Sequence, residues 1–284
     1  MVRMRLALPP LLDQIVRELH AAGYRAVVVG GAVRDALLVH ELGALPKDFD
    51  IEVYGIAYDQ LAGMLARRGR IDRVGKSFGV VKLNIDGHEY DFSVPRRDSK
   101  LGLKHRDFET TFDPAITPRE AASRRDFTIN AMAYDPVADE LLDFFGGVED
   151  LKNRVLRATS EAFAEDPLRV LRGMQLACRF DLTLEPATAA LCRTISDHYS
   201  SISRERVADE FMKWAVKSPR PGSPDIWPLR AGMFIFPRSD VLPVYRKIPA
   251  GTPKAMSARI RCWFWTLPRA SPCARRSKAT IVRF

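Results

Sequence analysis

An apolar run, Ala26-Val27-Val28-Val29, leads directly into Gly30-Gly31-Ala32-Val33-Arg34-Asp35, and Asp48-Phe49-Asp50-Ile51-Glu52-Val53 follows shortly after. The first run ends on two glycines, which reads as a buried strand turning into a helix. The second alternates acidic and apolar residues with the period of a strand. Phe49, Ile51 and Val53 then face a core, and Asp48 and Asp50 share the opposite face. The order strand, Gly-Gly, helix, carboxylate strand is a stronger constraint than any of its parts.

Two carboxylates about 7 Å apart along a strand repel unless something cationic sits between them. Hard oxygen ligands of this kind suit Mg²⁺, which keeps coordination positions open for substrate phosphates. The glycines permit positive φ and close backbone approach, so that successive N–H groups can point at an anion, and Arg34 adds a fixed positive charge. The bland readings stay open here: a solvated strand face for the aspartates and a plain turn for the glycines. A calcium loop built on Asp48, Asp50 and Glu52 fails, because Val53 stands where that loop requires glycine.

With 284 residues, 46% hydrophobic and 28% charged, the chain is long enough for a sizeable core and more than one domain, and a soluble globular protein is expected. Its opening residues have basic and apolar character, but Pro9 and Pro10 break the run and Asp13 follows, so no leader peptide is expected. No apolar stretch reaches membrane-spanning length. Cys178, Cys192, Cys262 and Cys273 lack metal-ligand spacing, which points to free thiols in a reducing cytoplasm and gives no support to zinc.

The net charge of +9 is unevenly distributed. From Lys217 onward 14 Lys and Arg face only Asp225 and Asp240, and the same stretch holds 10 of the 19 prolines and no glutamate. Residues 217–284 form an atypical basic, proline-rich tail without sustained helical or strand period. A basic RNA-binding arm is one reading, with Trp227, Trp263 and Trp265 able to stack on bases. A poorly packed extension, such as a shifted reading frame would produce, is the other.

Ahead of the tail, Leu11, Leu12, Ile15, Val16 and Leu19 recur at helical spacing and stop at Gly23, which predicts a first amphipathic helix. Asp86-Gly87 between the alternating runs 79–85 and 88–94 predicts a hairpin. Asp91 then points opposite to Tyr90 and Phe92. It is available as a third carboxylate for the Asp48 and Asp50 face, the alternative being an ordinary exposed hairpin acid.

Over residues 27–216 these runs, in order, resemble the class II CCA-adding enzymes, the tRNA nucleotidyltransferases that share a superfamily with bacterial poly(A) polymerases. Gly30-Gly31-Ala32-Val33-Arg34-Asp35 with Asp48-Phe49-Asp50 resembles the first family motif. The resemblance implies that Asp48 and Asp50 bind two Mg²⁺ ions, that Gly30, Gly31 and Arg34 meet a triphosphate, and that Asp91 is the third catalytic carboxylate. Arg124-Arg125-Asp126-Phe127-Thr128-Ile129-Asn130-Ala131 resembles the second motif, which implies ribose contacts from Arg125 and Asp126 and a triphosphate contact from Asn130. Without the family, that run reads as a helix-capping segment. Gly146-Gly147 before Asp150-Leu151 is similar to the hinge-like third motif; its bland reading is a turn.

Glu165-Asp166-Pro167-Leu168-Arg169-Val170-Leu171-Arg172 resembles the fourth motif, which implies nucleotide binding by Asp166, Arg169 and Arg172. Spacing of three lets Asp166 and Arg169 share a helix face. A carboxylate only accepts hydrogen bonds and a guanidinium only donates them. Cytosine and adenine present an amino donor beside a ring-nitrogen acceptor, whereas uracil and guanine present a carbonyl beside a ring N–H. One Asp/Arg pair can therefore take CTP and ATP and refuse UTP and GTP. The competing reading makes Asp166 an N-cap with Pro167 opening the helix. Ser203 precedes Val207, Phe211, Trp214 and Ala215 at helical spacing, and Glu205-Arg206 resembles a fifth motif that braces this region.

The resemblance implies an α+β fold: a nucleotidyltransferase head with a DNA polymerase β-like mixed sheet over 1–157, an all-helical neck over 158–216, and the tail. It implies transfer of C and A residues from CTP and ATP to the tRNA 3′ end with release of pyrophosphate and Mg²⁺ as cofactor, in the cytoplasm, with no membrane or protein partner. A poly(A) polymerase, an enzyme adding only CC or only A, and an impaired RNA-binding fragment are the alternatives. The run Gly75-Lys76-Ser77-Phe78-Gly79-Val80-Val81 departs from the arginine-rich pattern of the poly(A) polymerases. After Val216 the family's helical body and tail are not recognisable, and no His-Asp doublet marks a phosphohydrolase domain.

Overall fold

The computed structural model describes residues 6–39, 46, 48–73, 79–100, 108–195 and 202–217. The basic tail beyond Lys217, with Cys262, Cys273 and its three tryptophans, and the run 74–78 lie outside the described residues. Two compact units divide the chain, Met1–Glu149 and Asp150–Phe284. No described helix is long and apolar enough to cross a membrane.

The first unit opens with helix α1 (Pro10–Ala21), whose Leu12, Ile15, Val16 and Leu19 are buried at the spacing read from the sequence. It ends at Gly23, where the Gly23 and Tyr24 amides bond back to the His20 and Leu19 carbonyls. Strand β1 (Arg25–Val29) then runs into the short helix α2 (Gly31–Leu37). Strand β2 (Asp50–Tyr54), helix α3 (Tyr58–Leu65) and strand β3 (Arg70–Asp72) follow. The predicted hairpin is present as β4 (Val80–Ile85) and β5 (His88–Ser93), joined at Asp86 and Gly87, whose φ values of 51° and 78° both fit the reversed turn that such strands favour.

Strands β6 (Arg96–Lys100) and β7 (Phe108–Phe112) make a separate two-stranded sheet. Helix α4 (Pro118–Ser123) follows, opened by a reciprocal Thr117 and Glu120 capping box. A 3₁₀ turn (Thr128–Asn130), strands β8 (Ala133–Asp135) and β9 (Glu140–Leu142) and helix α5 (Gly147–Lys152) complete the sequence of elements. Seven strands form one mixed sheet in the order β3-β4-β5-β2-β1-β8-β9. β1 is antiparallel to both neighbours, and β2 lies parallel to β5.

Register divides the two faces. On β2, Ile51 and Val53 are fully buried, together with Ala26 and Val28 opposite them on β1. The other face carries Asp50, Glu52 and Tyr54, set against Val29, Val27 and Arg25. On that face an apolar cluster of Val27, Val29, Tyr54, Ala133 and Leu142 is covered by Ala121 of α4 and by Phe144. At ~25 cal/mol per Å² of apolar surface removed from water, such side chains hold α4 down against one half of the face. The chain leaving α4 is thereby delivered, as Arg124-Arg125-Asp126, beside the acidic half.

The second unit is helical around one two-residue parallel pair, β10 (Val155–Leu156) with β11 (Thr183–Leu184). A 3₁₀ turn (Glu161–Glu165) precedes helix α6 (Leu168–Phe180), which ends with Asp181 in the left-handed region. Helices α7 (Pro186–Thr194) and α8 (Arg204–Lys217) follow. Leu168, Leu171, Met174 and Ile202 pack with Val207. The buried Glu210 carboxylate on α8 is held by Lys213 at 2.8 Å and faces Arg172 at 3.9 Å. Burial pushes the Cys178 thiol up to about 11 and the Cys192 thiol to about 12, so both stay protonated at neutral pH.

Candidate active site

The acidic half of the sheet face is built by strand pairing. Parallel pairing of β2 with β5 sets Asp50 directly beside Asp91, and Asp48 stands two residues earlier in the chain. Asp48 and Asp50 are exposed while Phe49 is buried, as the alternation predicts. Asp50 keeps an edge in solvent, yet its carboxyl is held above the usual carboxylate range. The protein mass around it is the main cause; Arg125 opposes the shift, Asp91 and Asp48 add like charge, and Lys82 opposes again. Asp91 Oδ1 is buried and accepts no hydrogen bond among the described residues. Lys82, its neighbour across the hairpin, brings Nζ to 3.2 Å from that oxygen and bonds Glu89 at 2.6 Å.

Above β1 the chain turns at Gly30, with φ 72° and ψ −126°, a conformation reserved for glycine. A Cβ at Gly30 would also stand 3.1 Å from Arg125 Nη1, so glycine lets the guanidinium lie against the turn. Arg34 is 5% exposed and bonds inward. Its Nε and Nη2 donate to Asp35 Oδ1 at 2.8 and 2.6 Å, and its Nη1 donates to Asn130 Oδ1 at 2.5 Å. Asn130 Nδ2 in turn donates to Asp126 Oδ1 at 3.1 Å, which also accepts the Phe127 amide at 2.8 Å. Asp126 thus ties the second run to itself. Arg34, Asn130 and Asp126 form a buried chain beneath the glycine turn.

Gly146-Gly147 is more than a turn. A Cβ on Gly147 would stand 2.8 Å from Met132 Cγ and 2.9 Å from the Thr128 carbonyl carbon, so α5 presses on the turn that carries Asn130. Asp143 fixes this approach by accepting the Gly147 and Val148 amides at 2.8 and 2.9 Å.

In the second unit Asp166 lies ahead of α6, with φ −127° and ψ 106°, so it does not share a helix face with Arg169 as the spacing suggests. Its Oδ1 accepts the Leu168 amide at 3.0 Å, as an N-cap does, and its Oδ2 pairs with Arg206 Nη2 at 2.8 Å. Arg169 Nη1 donates to the Ala162 carbonyl at 2.5 Å. Asp166 and Arg169 remain half-buried.

Comparison with known proteins places these elements. Residues 26–157 match the poly(A) polymerase head domain. A CCA-adding enzyme of Enterococcus faecalis is 35% identical over 211 residues, 73% of this chain and 49% of that protein. A multifunctional CCA protein of Aromatoleum aromaticum is 43% identical over 197 residues, 68% of this chain and 46% of the relative. The crystal structure of the Bacillus stearothermophilus CCA-adding enzyme in complex with CTP shares the fold with a TM-score of 0.61 at 28% identity, covering 75% of this chain and 50% of that one. A tRNA nucleotidyltransferase complexed with a primer tRNA and an incoming ATP analog gives 0.55 at 29%, over 82% and 60%. Residues 26–157 are a head domain of the class II CCA-adding enzyme and poly(A) polymerase family. The chain spans about half the length of the curated relatives it matches.

The donor set of this CCA-adding-type head fits a hard divalent cation. Two adjacent carboxylates, Asp50 raised chiefly by burial and further by the like charge of Asp91 and Asp48, are what such an ion relieves. Among the described residues no three acidic, His or Cys side chains are gathered to hold a metal unaided.

Sequence reasoning passed over three residues here. Lys82 follows from the hairpin register, once Asp86-Gly87 fixes it opposite Asp91. Glu52 and Tyr54 follow from the alternation that carries Asp50, which puts both on the site face of the same strand.

Proposed function

We propose that this chain is a tRNA nucleotidyltransferase that adds C and A residues, ending in CCA, to the tRNA 3′ end from CTP and ATP, with release of pyrophosphate, in the cytoplasm. What supports the reading most is Asp50 beside Asp91 in parallel register, in the same unit as the Gly30 turn and Arg125. The solved relatives are described with CTP, with an ATP analog and with primer tRNA.

In this reading residues 1–157 are the catalytic head, 158–216 the neck that selects the nucleotide, and 217–284 an appended tail. Two Mg²⁺ ions held by Asp48 and Asp50 would lower the pKa of the attacking 3′-hydroxyl and neutralise the leaving phosphates. Asp91 orients that hydroxyl and accepts its proton. The Gly30 and Gly31 backbone receives the triphosphate, and Arg34 supplies positive charge from beneath the turn with Asn130 fixing its guanidinium. Arg125 and Asp126 bracket the ribose. Asp166 and Arg169 read the base edge, exchanging their present partners for the nucleotide, with Arg172 beside them.

The test is incorporation of labelled CTP and ATP, alone and together, into tRNAs lacking their last three, two or one nucleotides, with Mg²⁺ and with chelator. Ordered, metal-dependent addition that stops after CCA is expected. Asp48→Ala and Asp50→Ala should each lose more than ~100-fold, beyond the loss of an outer-shell metal partner, while keeping a wild-type circular dichroism spectrum. Arg169→Ala should lose the preference for CTP and ATP over UTP and GTP. ATP-only extension of arbitrary RNA would make the chain a poly(A) polymerase. RNA binding without incorporation would make it an idle fragment.

A further inference from the structure

Arg125 is the side chain that joins the glycine turn to the acidic strand face, and its placement is not left to itself. Its Nη1 lies against the Gly30 turn, and its Nη2 lies 3.8 Å from Glu52 Oε2. Glu52 is largely buried, its side chain 13% exposed, against 26% for Arg125. The Tyr54 hydroxyl, two residues along the same face, donates to the same Glu52 oxygen at 2.6 Å. Burial, and then the Glu52 charge, hold the Tyr54 phenol well above its usual range, so Tyr54 stays protonated and donates to the carboxylate. The long Glu52 carboxylate is tied to a tyrosine that is itself packed in the apolar cluster beneath α4. Glu52 Oε2 is engaged by a hydroxyl and a guanidinium, which sets it apart from Asp50 among its acidic neighbours.

We infer that Glu52 and Tyr54 are positioning residues that hold the Arg125 guanidinium over the Gly30 turn, so that the incoming nucleoside triphosphate meets an arginine already in place. This rests on the nucleotidyltransferase reading above. An unrestrained arginine on a loop would have its rotamers frozen at the moment of binding, at a cost in affinity. The Glu52 and Tyr54 pair carries that ordering in the folded protein. The device acts on nucleotide capture and leaves the chemical step alone. Glu52 acts through Arg125 and takes no part in holding the cation.

The experiment is a double-mutant cycle on the full chain, using CTP binding under chelator-buffered Ca²⁺ and Mg²⁺-dependent turnover. Glu52→Gln keeps an acceptor for Tyr54 but removes the charge, and should raise the CTP dissociation constant and KM about tenfold. It should leave kcat within about threefold and the Mg²⁺ concentration for half-maximal rate unchanged. Tyr54→Phe should raise KM less. Placed in an Arg125→Ala background, Glu52→Gln should have no further effect. An equal KM rise with and without Arg125, a shifted Mg²⁺ requirement, or a loss confined to kcat would overturn the positioning role. CTP binding by the wild type that Glu52→Gln leaves unchanged would sink this inference alone. A wild type that binds no nucleotide would sink the nucleotidyltransferase reading and this inference with it.

Discussion

The buried chain under the glycine turn and the carboxylate edge beside it belong to the same unit yet follow opposite rules. Arg34, Asn130 and Asp126 are each at most 6% exposed and bonded to one another, with Asp35 completing the arginine. The edge holds two adjacent carboxylates on β2 and β5, Asp50 raised chiefly by burial and further by its acidic neighbours, and Asp91 with a buried oxygen facing the Lys82 ammonium at 3.2 Å. One region is closed by hydrogen bonds among its own side chains, and the other gathers like charge that a cation would relieve. The paired groups are held in place before any ligand arrives, whereas the clustered carboxylates carry a charge excess for a cation to neutralise.

The largest expected effect lies in the satisfied region. Arg34→Met removes a buried cation and takes donors away from Asp35 and from the Asn130 side-chain carbonyl, which should cost about 3 kcal/mol. Urea denaturation of the ligand-free chain measures it. A loss under ~0.5 kcal/mol, the level of an ordinary surface change, would break the distinction between the two regions.

Gly147→Ala should come next, at about 2 kcal/mol. Its added Cβ meets the Thr128 backbone, which cannot swing aside as a flexible side chain would. Because the strained turn carries Asn130, the variant should also weaken CTP binding. Full stability with normal CTP affinity would mean that α5 and the 3₁₀ turn slide past each other freely.

Much of this was readable from residue order, for a physical reason. Period and turn chemistry are local, so Phe49, Ile51 and Val53 inside, the α1 stripe and the Asp86-Gly87 turn all follow from neighbouring residues. The hairpin placed Asp91 on the outward side of its strand, but nothing local says that β5 lies parallel to β2 with Asp91 at Asp50. That pairing is settled by the sheet as a whole. Spacing misled at Asp166, because a three-residue interval implies a shared helix face only if both residues are in the helix, and Pro167 starts the helix after Asp166. The close approach of Gly147 to Thr128 joins segments whose sequences carry no sign of each other.

The smallest effect should have the opposite sign and belongs to the carboxylate edge. The Asp50 carboxyl is raised in the folded chain above its ordinary 3.8, chiefly by desolvation and further by Asp91 and Asp48. The folded state therefore binds its proton more readily than the unfolded state does. Stability falls as pH rises from the ordinary carboxylate range through the folded value, and the whole penalty is present above it. Asp50→Asn removes it. In chelator at pH 7 the variant should be modestly more stable than the wild type, and the gap should close as pH falls below 3.8, where the aspartate is protonated in both states. Added Mg²⁺ should reverse the order, because a cation that binds only the folded chain stabilises the wild type by mass action and finds a weaker site in the variant. A destabilised Asp50→Asn in chelator would place Asp50 with Arg34 among the groups that hold the fold, and the contrast between the two regions would fail where it is sharpest.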